Sequence, residues 1–173
     1  MLLYQYLDAL PPVPAHLTIN PEIPDESLIG FKSNMYARWA PKTELKDWIF
    51  QNISEDIRLA GVQIITDDVP MHCDKRKWAL NYLVETGGDQ VITGFFKLRG
   101  QPTVQPPAAR AKYVLGAEEI VKTTFVTGRW HLLNTNVMHS VVGVTGRRVA
   151  ITVGFNEDNP FDCIKGYQGL ASF

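Results

Sequence analysis

The chain has 173 residues, 45% of them hydrophobic and 20% charged, which fits a single domain with enough apolar material for one core. Seventeen Lys and Arg against eighteen Asp and Glu leave a net charge of −1, so bulk charge does not mark a nucleic-acid or membrane protein and leaves room only for a local basic patch. Cys73 and Cys163 form no CxxC pair and are too few for a disulfide scaffold, so both read as reduced thiols in a cytoplasmic protein. The first residues lack the basic stretch of a secretory signal, and no apolar run approaches the ~18 residues of a membrane span.

In chain order, residues 1–60 read as an N-terminal arm and a support helix. A short helix or strand is expected near Leu2 to Leu10. Pro11, Pro12, Pro14, Pro21 and Pro24 then favour an extended arm, because each fixes φ and removes a backbone donor. Pro41 opens the clearest helix, with Leu45, Trp48, Ile49, Ile53 and Ile57 on one stripe and Lys42, Glu44, Lys46 and Asp47 outside it. A break is expected near Asn52 to Ser54.

Residues 61–156 change texture. Short runs rich in Val, Ile, Thr and aromatics alternate with Gly, Pro, Asp and Asn. Strands are expected at 62–66, 69–73, 78–85, 90–97, 111–115, 120–125, 131–134, 139–144 and 148–155. Such spacing predicts a mainly β fold, a sandwich or barrel with flanking helices. Gly87-Gly88-Asp89 reads as a hairpin turn. In the last strand Val149, Ile151, Val153 and Phe155 share one face. Arg148, Ala150, Thr152 and Gly154 share the other, which suits a cavity. Residues 157–173 read as a surface tail.

Chemistry concentrates in Met71-His72-Cys73-Asp74. In extended backbone residues i and i+2 point the same way, so His72 and Asp74 converge while Cys73 turns away as a buried thiol. His139 follows far downstream, and Arg148 lies nine residues beyond it. Two imidazoles and one carboxylate make the facial set of non-haem Fe(II) sites, which leaves coordination positions open. His72, Asp74 and His139 are therefore the candidate metal ligands. Arg148 is the candidate clamp for an acidic co-substrate, because a guanidinium matches a carboxylate at two points. Strand parity favours Arg148 over Arg147. The plainer readings are a hydrogen-bonded His72–Asp74 pair without metal and a solvated Arg148. Asn81 is favoured over Tyr82 to face inward. Tyr113 and Trp130 line the pocket or fill the core, Arg76 meets substrate or solvent, His16 sits in the arm, and His131 is a structural or surface imidazole.

Over roughly residues 60 to 156 the chain resembles the Fe(II)- and 2-oxoglutarate-dependent oxygenases. The nearest likeness is to small stand-alone phage and bacterial members related to prolyl hydroxylases and aspartyl/asparaginyl β-hydroxylases. His72-Cys73-Asp74 is similar to the family's His-x-Asp, and His139 to its distal histidine. Arg148-Val149-Ala150 is similar to the Arg-x-Ser that grips the distal carboxylate of 2-oxoglutarate. The segments Ala79-Leu80-Asn81-Tyr82-Leu83 and Leu132 to His139 add to the likeness. Two positions depart from it. Ala150 replaces the serine, with Thr152 on the same face as a substitute, and Asn81 replaces an arginine. The resemblance implies a double-stranded β-helix, the jelly roll shared with cupins. It implies Fe(II), 2-oxoglutarate and O2 as cofactor and co-substrates. It also implies hydroxylation of a substrate, for instance a protein or peptide side chain, with release of succinate and CO2. A cupin-type metalloprotein without 2-oxoglutarate and a non-catalytic jelly-roll module are the alternatives.

Overall fold

Among the described residues ten strands form two antiparallel sheets, and the fold is mainly β with few helices. The computed structural model describes residues 1–18, 36–39, 43–98, 117–156 and 160–167. The strand expected at 111–115 with Tyr113, the arm prolines Pro21 and Pro24, and Pro41 and Lys42 at the helix start lie outside the described residues.

The strands are β1 (Tyr4–Tyr6), β2 (Tyr36–Trp39), β3 (Ile57–Ile65), β4 (Val69–His72), β5 (Trp78–Thr86), β6 (Ile92–Leu98), β7 (Ala117–Thr123), β8 (Trp130–Asn134), β9 (Met138–Val142) and β10 (Arg148–Phe155). Among the described residues the helices α1 (Ala15–Thr18) and α2 (Thr43–Asn52) and a 3₁₀ turn at Pro160–Asp162 accompany them. One sheet runs β1-β8-β5-β10-β3-β2 and the other β4-β9-β6-β7. From β3 onward the pairings are nested: β6 with β7, β5 with β8, β4 with β9, β3 with β10. Successive rungs of this nest fall alternately in the two sheets. Among the described residues no helix is long and apolar enough to cross a membrane.

The stripe of α2 forms the outer core. Leu45 and Ile49 are buried with Ile53 against Trp78, Leu80, Tyr82, Trp130, Leu132, Ile151, Val153 and Phe155. Burial of such side chains stabilises the fold by about 1.5–3 kcal/mol each. Helix α2 stops at Asn52, whose side-chain amide donates to the Trp48 carbonyl at 2.9 Å. Lys165 Nζ donates to the Phe50 and Gln51 carbonyls, both at 3.0 Å, which satisfies the helix end. Ile57, expected on the helical stripe, instead opens β3.

Three further expectations are corrected. The short element expected near Leu2 to Leu10 is the strand β1, but the N-terminal 60 residues are more than an arm and a helix, since β1 pairs with β8 and an unexpected β2 pairs with β3. The tail is not merely superficial: Pro160 and Ile164 are buried, and Phe161 packs edge-on against Trp78 with ring centroids 5.2 Å apart. Gly87-Gly88-Asp89 is no hairpin, because β5 and β6 lie in different sheets and the turn carries the chain between them. Gly87 adopts φ +83°, and a Cβ there would fall 2.6 Å from Arg148 Cβ. Only glycine allows both that conformation and that approach.

A second core lies between the sheets. Leu83, Leu133 and Ala150 of the six-stranded sheet meet Phe95 of the four-stranded sheet, with Phe125 and Val137. The inner face of β10 therefore carries Arg148, Ala150, Thr152 and Gly154, as parity predicts. Trp130 is on the other side, in the outer core, where its Nε1 donates to the Pro11 carbonyl at 2.9 Å.

Candidate metal centre

His72 closes β4 and pairs in register with His139 of β9, so the two imidazoles project from one face of the four-stranded sheet. Their ring centroids are 4.4 Å apart. His139 pairs in turn with Phe95, which places this face toward the inner core. Asp74 lies just beyond β4, with Oδ1 3.6 Å from His72 Nε2. One donor atom from each of His72, Asp74 and His139 lies within 4.8 Å of the others. A metal ion holds such donors at about 2.0–2.2 Å, so modest rotation of the side chains closes the set around one ion.

Both histidines are oriented by the same local device. His72 Nδ1 is 2.8 Å from the Pro70 carbonyl and His139 Nδ1 2.8 Å from the Val137 carbonyl, each two residues back. A carbonyl only accepts, so Nδ1 carries a proton in both rings and Nε2 is the nitrogen available to a metal. Burial, then the neighbouring His72, pushes His139 down to about 4, against the opposing pull of Asp74 and the Val137 carbonyl. His139 is thus neutral at pH 7. Burial works to raise the Asp74 pKa, but the Arg76 guanidinium, then His139 and His72, outweigh it and hold the carboxyl below its ordinary range. A neutral imidazole and an ionised carboxylate are the forms that bind metal. Cys73 is buried, as parity predicts.

The facing sheet supplies a second set of polar groups. Thr152 of β10 pairs with Asn81 of β5, and Asn81 with His131 of β8, so the three form a row across the inner face. Asn81 Oδ1 and Thr152 Oγ1 are buried and have no partner among the described residues. Arg148 begins β10 and is buried, its Nη1 donating to the Thr86 carbonyl at 3.1 Å. Burial alone lowers it to about 10. No carboxylate among the described residues pairs with it, and a buried cation without a counter-charge is costly. Arg147 turns outward and pairs with Glu85 at 2.6 Å.

Sequence reasoning undervalued two residues. His131 is 2% exposed and stacks on Phe125 with ring centroids 4.0 Å apart. Burial, then Arg148, pushes it down to about 3 despite the opposing Arg129 backbone. All five residues of β8 are buried, so no alternation betrays its inward side. Arg76 is neither solvated nor free: its Nε donates to Asp74 Oδ2 at 3.0 Å. The i, i+2 spacing that joins His72 to Asp74 also joins Asp74 to Arg76, so that signal was present. His16 is exposed in α1, and Tyr82 packs on Trp130 in the outer core. A surface groove of about 400 Å³ along 5–10 and Tyr167 includes none of the candidate ligands. The chain matches no known family model and no curated protein.

Proposed function

We propose that the chain is an Fe(II)- and 2-oxoglutarate-dependent oxygenase that hydroxylates a substrate and releases succinate and CO2. The nested strand pairing supports a double-stranded β-helix: a long hairpin closed at β6 and β7 and wound so that its rungs alternate between two sheets. The observation that carries the proposal is the meeting of His72, Asp74 and His139, with each Nδ1 engaged by a backbone carbonyl and each Nε2 left for a metal.

Two imidazole nitrogens and one carboxylate oxygen suit Fe(II), and as a facial set they leave positions for other ligands. Fe(II), once bound with 2-oxoglutarate and O2, supplies the oxidising chemistry. The protein residues bind, orient and exclude water. Arg148 takes the far carboxylate of 2-oxoglutarate, which provides the counter-charge this buried guanidinium lacks. The Thr152 hydroxyl donates to the same group, in place of the serine absent at Ala150, and the Asn81 carboxamide lies beside it in register. His131, held neutral, walls this end without adding a second charge. His72 and Asp74 keep about a quarter of their side-chain surface exposed, at 26% and 27%, which leaves a way in for a bulky substrate such as a protein or peptide side chain.

Calorimetry under argon tests the proposal. The wild type is expected to bind Mn(II), and 2-oxoglutarate only once Mn(II) is present. His139→Ala is expected to lose both, and Arg148→Ala to keep Mn(II) while losing 2-oxoglutarate. Succinate release with Fe(II) and ascorbate gives the matching activity. A wild type that binds no metal sinks the proposal. One that binds metal but never 2-oxoglutarate belongs with cupin-type metalloproteins.

A further inference from the structure

The loop bearing Asp74 is stitched to the turn that leads into β9 and His139. Asp74 N–H donates to the Thr135 carbonyl at 2.8 Å, and Thr135 N–H to the Lys77 carbonyl at 2.9 Å. The Thr135 hydroxyl donates to the Arg76 carbonyl at 2.8 Å. With its backbone held, Arg76 turns its side chain onto Asp74, and the two carboxylate oxygens become unequal. Oδ2 accepts from Arg76 Nε at 3.0 Å, while Oδ1 faces His72 Nε2 at 3.6 Å. The rest of the guanidinium lies across Gly154 of β10. A Cβ at 154 would sit 3.7 Å from Arg76 Nη1, and Nη1 is itself buried without a partner among the described residues. A guanidinium is placed there at the cost of an unpaired donor, which a brace for the loop alone would not require.

We propose that Arg76 is a positioning residue that engages Oδ2 of Asp74, so that this carboxylate meets the metal through Oδ1 alone. The inference rests on the metal site proposed above and goes beyond it. A carboxylate free to swing has two equivalent oxygens and can occupy two coordination positions. With Oδ2 engaged it occupies one, and the position spared stays open to the keto acid. Gly154 lies against this guanidinium, so the inner face of β10 serves Arg148 at one end and Arg76 at the other.

The test uses the full chain loaded with Co(II), whose visible absorption falls in intensity as coordination number rises. Arg76→Gln is expected to fold and to weaken Co(II) affinity about tenfold, the scale of losses when a group that orients a ligand is removed. Its absorption is expected to drop, and its affinity for 2-oxoglutarate to fall at least as far. Arg76→Lys is expected to recover part of the metal affinity. Wild-type affinity and spectrum in a folded Arg76→Gln overturn the proposal and leave Arg76 as a loop brace. Gly154→Val covers the case in which Arg76→Gln does not fold. It keeps the guanidinium but displaces it, so the same spectral loss is expected and a wild-type spectrum overturns the proposal. A wild type that takes up no Co(II) overturns the metal site itself, an outcome distinct from the others.

Discussion

The two faces of β10 belong to one strand and are built on opposite terms. On the outer face Ile151, Val153 and Phe155 pack against Leu45 and Ile49 of α2, and every group there is apolar and matched. On the inner face Arg148 lacks a counter-charge among the described residues, and the Thr152 hydroxyl lacks a partner. Alternation lets a single strand do both, because successive side chains never share an environment. The outer face supplies stability. The inner face forgoes some, which is the usual mark of a surface shaped for a ligand.

The largest expected break in this contrast comes with acid. His131 is held near 3 in the fold against 6.5 when exposed, so between those values the unfolded chain takes up a proton that the folded chain refuses. The stability contributed is complete above pH 6.5 and is lost as pH falls toward 3, on the order of 5 kcal/mol at most. His139, held near 4, adds loss of the same sign. Urea unfolding from pH 7 to pH 4 is expected to show the decline, and His131→Gln to remove its share. An unchanged slope in that variant would place the acid sensitivity elsewhere.

Substitution sharpens the comparison. Ile151→Ala, on the packed face, is expected to cost about 2 to 5 kcal/mol while leaving Mn(II) affinity intact in the folded protein. Its neighbour on the other face, Thr152→Val, is expected to be neutral or stabilising by about 1 kcal/mol, since it deletes a buried hydroxyl without a partner, and to weaken 2-oxoglutarate binding. Denaturant midpoints and calorimetry measured on the same samples check both. Equal destabilisation by the two would erase the distinction between the faces.

The neighbouring arginines give a third and smaller contrast. Arg148→Met is expected to raise stability by about 1 to 4 kcal/mol, because an apolar chain replaces a buried charge, while 2-oxoglutarate binding disappears. Arg147→Ala breaks a pair with Glu85 that is nearly half exposed, 46% and 41%, and is expected to change stability by less than about 1 kcal/mol with no effect on binding. Thermal melts with and without ligand separate the two. A stability loss in Arg148→Met would mean that its bond to the Thr86 carbonyl outweighs its missing counter-charge.

The amino-acid sequence by itself determined the strand texture after residue 61, the apolar stripe of α2, the pairing of His72 with Asp74 and the inward parity of Arg148, Thr152 and Asn81. These follow from periods of 2 and 3.6, which are local properties of the backbone. It did not show that Gly87-Gly88 crosses between sheets, that β1 and β2 extend the larger sheet, that the tail buries Ile164, or that His131 completes the polar row beside Asn81. Each of those depends on a partner far away in the chain, and register across strands is a property of the folded pair. Only tertiary structure brought His139 within reach of His72 and turned Arg76 onto Asp74, because burial and long-range pairing, unlike parity, are written in no single segment.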